Sequence, residues 1–243
     1  MNRVRVLHAE WRVVHEMKTD LSVDPTRIKD RILDVAERLF AENGIKETSV
    51  RAITTAADAN LAAVNYHFGS KEGLIRAVIA RRVDPLNVER LSLLDSYEVE
   101  TGDAALPLES ILHAFFAPSI HHCLQHPHFM RLAGRMVSEP DKELHRAFIS
   151  HFEKVFLRFK GALACALPNL PEKELLWRMH FLLGAMIHTW TNHSDLEWLS
   201  RGVLTLTDEQ EVIEKLITFC AAGLRAPLPA QPRGDPNDPP PHR

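Results

Sequence analysis

The sequence predicts an all-α protein: a small N-terminal three-helix unit carrying a helix-turn-helix, followed by a larger helical C-terminal unit. Three observations lead there. Apolar residues recur at spacings of three and four through most of the 243 residues, and no convincing period-two stretch is present. Only ten glycines occur in a chain that is 45% hydrophobic, enough apolar material for a sizeable core. Capping residues crowd the stretch from Asn43 to Ser70, which marks several short helices in quick succession. The expected division is an N-terminal extension over residues 1–25, a head over 26–82, a body over 83–226 and a proline-rich tail over 227–243. That tail, "PLPAQPRGDPNDPPPHR", has too little apolar surface to offset the cost of ordering and is expected to stay disordered.

The first helix follows from Ile28, Ile32, Val35, Ala36, Leu39 and Phe40, a single apolar stripe with a solvent-facing charged side. It stops at Asn43 and Gly44, residues suited to a left-handed cap. Thr48 is expected to cap the second helix, whose Val50 and Ile53 face inward before Asp58, Ala59 and Asn60 break the pattern. Asn60 caps the third helix. At 100° per residue Leu61, Val64 and Phe68 fall on its inner side, and Ala62, Ala63 and Tyr66 on its outer side. Gly69 ends it, and Ser70 caps a fourth helix that begins with Lys71 and Glu72. Beyond Arg81 and Arg82, Pro85 is expected to kink or end that helix and to mark the head–body boundary.

The second and third helices form a helix-turn-helix, a motif that lays its second helix in the DNA major groove. Small Ala62 and Ala63 let the backbone approach the groove and offer methyl contact to thymine, while Tyr66 reaches a phosphate or base edge. Amides near Thr48, Ser49 and Ser70 point at potential anions, and Arg51 and Lys71 supply charge for phosphates. Taken singly, each threonine is an ordinary cap and each alanine an ordinary helix former; their combination carries the reading. Charge agrees with it, since residues 26–82 hold ten Lys/Arg against seven Asp/Glu while the overall net charge is −3. An N-terminal arm with Arg3, Arg5 and Arg12 would suit the minor groove, although its charge is balanced by Glu10, Glu16, Asp20 and Asp24.

Ala36, Leu39, Phe40, Gly44 and Thr48, followed by His67, Phe68, Ser70, Lys71, Glu72 and Leu74, resemble in order and spacing the N-terminal DNA-binding domain of the TetR/AcrR family of bacterial transcriptional regulators. The resemblance covers about 55 residues. It implies a homodimer that places one recognition helix in each half of a palindromic operator on double-stranded DNA, and a C-terminal domain for effector binding and dimerisation. The residues expected to face DNA are Thr48, Ser49, Arg51, Asn60, Ala62, Ala63, Asn65, Tyr66, His67 and Lys71. Two positions depart from the family pattern: Asn65 stands where tyrosine is usual, and Asp58 where glycine is frequent. "NLAAVNYHFGSK" together with "LLWRMHFLLGAM" is similar to a subgroup that includes fatty-acid-responsive repressors, which implies an apolar effector such as a fatty acid or acyl-CoA.

In the body, Leu112, Phe115, Phe116, Phe129, Met130, Phe152, Phe156 and Phe159 lie on several helical stripes. They either converge on a cavity, with Phe115, Phe116, Phe129, Met130, Phe152 and Phe156 as its expected lining, or pack as a plain core. Residues 172–193 are apolar around most of a helix circumference, and Gly184 and Ala185 permit close helix approach. The final helix carries Val212, Leu216, Phe219 and Cys220 on one face, with a cap and acidic first turn between Thr207 and Glu211. These two helices fit a dimeric four-helix bundle, or else the core of a monomer.

Several functional classes find no support. His122 and His126 have the i, i+4 spacing of helical metal ligands within a cluster of His121, His122, Cys123, His126 and His128. No HExxH motif accompanies them, Pro127 breaks the helix, and no carboxylate is placed locally to act as a base. GxSxG, Walker and GxGxxG motifs are absent too, so neither an enzyme nor a bound cofactor or metal is expected. The three cysteines sit apart in apolar helical patterns, as buried reduced thiols do. No run of about 18 uncharged apolar residues and no apolar block near the start are present, so a cytoplasmic protein without a membrane partner is expected. The rival reading is a helical metal- or ligand-binding protein without specific DNA readout.

Overall fold

The computed structural model describes residues 25–102, 104–137, 142–191, 193–204 and 208–228, in which every regular element is a helix. The expectations for residues 1–24 and for 229–243 lie outside the described residues. The head comprises α1 (Pro25–Asn43), α2 (Val50–Ala56) and α3 (Leu61–Phe68), and α4 (Lys71–Thr101) leads out of it. The body adds α5 (Leu108–Gln125), α6 (Pro127–Val137), α7 (Lys142–Ser150), α8 (Glu153–Ala166), α9 (Glu172–Thr191), α10 (His193–Leu199) and α11 (Glu209–Arg225).

The apolar stripe of α1 does what its spacing predicts. Ile32, Leu33, Ala36 and Phe40 are buried and join Ile53, Val64, Leu74, Val78 and Ile79 in one core. Each large side chain among them contributes about 1.5–3 kcal/mol by leaving water. The same core takes in Phe129, Leu132 and Met136 of α6 and Phe148 of α7, so elements far along the sequence buttress the head. Arg135 of α6 adds a hydrogen bond to the Glu42 carbonyl at the end of α1 (3.2 Å). A second core joins Leu94 of α4 to Ile111, Leu112 and Phe116 of α5, with Phe159 and Leu163 of α8, Leu175 and Met179 of α9, and Val212, Ile213 and Leu216 of α11. Arg178 closes α9 onto α11 by donating to the Leu224 carbonyl (2.7 Å).

Three expectations need correction. Pro85 does not end its helix: α4 runs unbroken for 31 residues, and buried Val83, Leu86 and Leu94 hold it on both sides of the proline. Proline inside a helix costs about 3 kcal/mol and one backbone hydrogen bond, which such packing outweighs. The charged side of α1 is not wholly solvent, since Glu37 is buried against α4. Within the stretch the sequence marks for a cap, Asp208 caps α11, accepting from the amides of Gln210 and Glu211. Among the cysteines Cys220 is buried, Cys123 is half-buried and Cys165 is exposed.

Candidate nucleic-acid interface and ligand cavity

Local chemistry fixes the helix-turn-helix. Ser49 caps α2 by accepting from the Ala52 amide (3.1 Å), and Asn60 caps α3 through the Ala63 amide (2.8 Å). Between them Asp58 adopts φ 46°, a left-handed conformation that aspartate tolerates better than most residues. This accounts for an aspartate where glycine is frequent. The Arg31 guanidinium holds that turn from α1 by donating to the Asp58 carbonyl (2.7 Å). The α3–α4 junction is tighter still: a Cβ at Gly73 would lie 1.9 Å from the Phe68 carbonyl oxygen, so only glycine admits this approach.

Ser49, Arg51, Asn60, Ala62, Asn65 and Tyr66 share the exposed side of α2 and α3, with Tyr66 83% exposed. Lys71 is half-exposed and reaches back to the Lys46 carbonyl (3.4 Å). Ala63 and His67 are half-buried, and Ala63 packs on the head core. Thr48 differs from expectation. Its side chain is 2% exposed and donates to the carbonyls of Gly44 (2.7 Å) and Leu39 (3.2 Å), so it pins the α1–α2 loop and leaves the capping to Ser49. Leu61, placed inward by the wheel, is 56% exposed, because α3 is only eight residues long and nothing covers its first turn. Leu61, expected inside, and Lys46, not singled out, therefore join the exposed face. At the start of α4, the Glu72 carboxyl accepts from its own amide and from the Ser70 hydroxyl, which holds it below the usual carboxylate range. It therefore competes with any phosphate for that helix end.

Where the head meets the body, Glu37 sits between two arginines of α4, 2.9 Å from Arg81 Nη2 and 2.8 Å from Arg82 Nε. Arg82 Nη1 lies 3.2 Å from His126 Nε2, whose ring stands edge-on to His122 with centroids 4.5 Å apart. The expected pair His122 and His126 is thus brought together beside a guanidinium, which repels a metal ion. No cluster of three or more His, Cys, Asp or Glu suited to a metal is found among the described residues. Burial first, then His126 and Arg82, push the His122 imidazole down to about 4.

A cavity of about 800 Å³ opens between α4, α5, α6, α7, α8 and α9. Five of the expected residues line it: Phe115, Phe129, Met130, Phe152 and Phe156. Phe116 does not, being fully buried in the body core one helical step away from Phe115. The sequence reading missed Arg90, Ser119, Met179 and Leu182 in the walls. Arg90 left a trace there, as a charge on the stripe Leu86, Arg90, Leu94 that is otherwise apolar and buried. Val137, Arg146, Ile149, Ser150 and Glu153 are exposed and form the mouth.

The outer surface of α9 and α11 leaves large apolar groups in solvent. Trp177 and Phe181 are stacked with centroids 5.9 Å apart, and Phe219 of α11 is 70% exposed rather than grouped with buried Val212, Leu216 and Cys220. A Cβ at Gly184 would meet nothing within 4 Å.

Two family descriptions match this chain. Residues 32–78 match "Bacterial regulatory proteins, tetR family", and residues 113–223 match "Tetracyclin repressor-like, C-terminal domain". The HTH-type transcriptional repressor KstR2 of Mycolicibacterium smegmatis is 30% identical over 112 residues, 46% of this chain and 50% of that protein. The HTH-type transcriptional regulator UidR of Escherichia coli is 30% identical over 133 residues, 48% of this chain and 64% of that protein. The chain spans about half the length of the KstR2 relatives it matches. Among solved structures, a TetR-family regulator from Bordetella parapertussis aligns at a TM-score of 0.62 with 17% identity, covering 84% of this chain and 98% of that one. The fatty acid degradation regulator FadR from Bacillus halodurans aligns at 0.60 with 14% identity, covering 82% and 96%. Likeness at these identities concerns the fold.

Proposed function

Since this chain belongs to the TetR family of bacterial regulatory proteins, we propose that it is a cytoplasmic, sequence-specific DNA-binding repressor released from its operator by a small apolar effector. The observation that carries this reading is the exposed face of α3, where Ala62, Asn65 and Tyr66 face solvent on a helix whose entry is fixed by the Asn60 cap. Ala62 lets the helix backbone come close to base edges, while Arg51 and Lys71 meet the flanking phosphates. Asn65 stands where tyrosine is usual, and the exposed Tyr66 beside it takes over the phosphate contact.

Two copies associate through α9 and α11, burying Trp177, Phe181 and Phe219 and using the open flank of Gly184 for close helix approach. The dimer sets the two α3 helices about 34–36 Å apart, one turn of DNA, to read a palindrome. An effector with an acyl chain, a fatty acid or acyl-CoA, occupies the phenylalanine-lined cavity and favours a dimer whose α3 spacing no longer fits. Residues 1–24 and 229–243 take no part in this reading.

The test is selection of random duplex DNA on the purified protein at two salt concentrations. Enrichment of one palindromic site at both salts is the expected result. Retention that is salt-sensitive and without sequence preference would overturn the repressor assignment in favour of a ligand-binding protein whose basic front merely grips phosphates.

A further inference from the structure

Arg90 is the least expected wall of the cavity. Its side chain is only 3% exposed, yet the groups around it are apolar or neutral. Nε donates to the Phe115 carbonyl (3.3 Å) and Ser119 Oγ (3.2 Å), Nη2 to Ser119 Oγ (2.6 Å), and Nη1 to Asn87 Oδ1 (3.3 Å). The Phe115 ring lies beneath the guanidinium, 4.4 Å from its central carbon. None of these partners carries a negative charge, and no carboxylate contacts Arg90 among the described residues. Burial lowers its affinity for its proton only to about 10, so the group remains a cation at neutral pH.

Buried charges are ordinarily paired, because an isolated ion away from water is expensive. A guanidinium carries two N–H groups on each terminal nitrogen, and protein acceptors among the described residues take one on each. The second on each nitrogen is unmatched. Ser119 and Asn87 are themselves anchored, Ser119 by donating to the Phe115 carbonyl (2.6 Å) and Asn87 by donating to the His151 carbonyl (2.7 Å). The guanidinium is therefore held in place, as a receptor for a planar anion needs to be. Around it the wall is Ile111, Leu112, Phe159, Met179 and Leu182, suited to an unbranched hydrocarbon.

We infer that the cavity takes a free long-chain monocarboxylic acid, its carboxylate paired with Arg90 at the inner end and its alkyl chain running outward past Phe115 and Phe156 toward the mouth. This rests on the reading of the cavity as the effector site and narrows it: the thioester of the same acid, which has no carboxylate and carries a bulky polar group, is excluded from that end. At the mouth exposed Arg146 and Glu153 offer one charge of each sign, so the orientation rests on the buried guanidinium of Arg90 rather than on the rim.

The full-length protein is titrated with dodecanoate, dodecan-1-ol and dodecanoyl-coenzyme A, each below its micelle concentration, by displacement of a fluorescent alkyl probe. Dodecanoate is expected to bind at least tenfold more tightly than the alcohol and more tightly than the thioester. In Arg90→Leu the ratio of acid to alcohol falls to near one while the alcohol retains its affinity. This ligand comparison works on the unaltered protein, so it stands even where Arg90→Leu folds poorly. Equal binding of acid and alcohol, or tighter binding of the thioester, overturns the carboxylate assignment and leaves the cavity reading in place. Binding of none of the three overturns both.

Discussion

The head and the body of this protein treat the same residue type in opposite ways. In the head, Arg81 and Arg82 enclose Glu37, so the buried carboxylate is matched twice and the interior is solid around Phe40, Ile53 and Val64. In the body, Arg90 is buried as deeply without a counter-charge among the described residues, beside a cavity of about 800 Å³. In the head the buried charge is matched by the protein's own residues. The body leaves volume and a cation uncompleted, as a region that takes up the proposed effector would.

Core truncation tests this contrast most strongly. Phe40→Ala should destabilise the head by about 3–5 kcal/mol, since a fully buried ring leaves a new void. Phe159→Ala, in a wall that already borders empty space, should cost about 2 kcal/mol, close to transfer alone. Equal losses in urea denaturation would mean that the cavity is not a standing void. Glu37→Gln should cost about 3 kcal/mol, at the low end for breaking a buried ion pair because both arginines keep some exposure to solvent. A change under about 0.5 kcal/mol, the scale of a surface substitution, would show that the arginines are satisfied by water. On the DNA side, Lys71→Ala should weaken binding to all sequences alike and lower the slope of log affinity against log salt by about one. An unchanged slope would remove Lys71 from the phosphate contacts.

A further test belongs to the junction. His122 titrates near 4 in the folded protein against an ordinary 6.5, so the unfolded chain binds the extra proton first. Stability therefore falls as the pH drops through that window and is fully present above it. His122→Asn should flatten the fall, read as urea midpoints at several pH values; parallel curves for the two proteins would place the pH response elsewhere.

How far such features could be read in advance depends on the range of the interactions behind them. The Asn60 and Ser70 caps and the Gly69 stop are set by residues within three positions, and all are found where the sequence places them. Thr48 and Ser49 are adjacent and chemically alike, and which one caps α2 is decided by the Gly44 carbonyl that captures Thr48. Leu61 and Phe219 sit on apolar stripes, but a helical wheel orders residues around an axis and cannot say which neighbour covers them. The cavity is less local again, since it needs helices from α4 to α9 to converge. Of the expected phenylalanines only Phe116 turns elsewhere, one helical step being enough to send it into solid core. Arg90 was visible as a charge on an apolar stripe, whereas the missing counter-charge becomes visible only once α5 is packed against it.

The unbroken run of α4 through Pro85 has a mechanical meaning. A helix of 31 residues is about 46 Å long, with Lys71 next to α3 at one end and Arg90 at the cavity about 28 Å away. Taking Arg90 as the fulcrum, a tilt of about 5° swings the Lys71 end by about 2.5 Å, far enough to carry a hydrogen bond from its optimum to beyond reach. An effector in the cavity, as proposed, would meet this helix at Val83, Leu86 and Arg90, so it would push at the pivot and on the arm that carries Lys71.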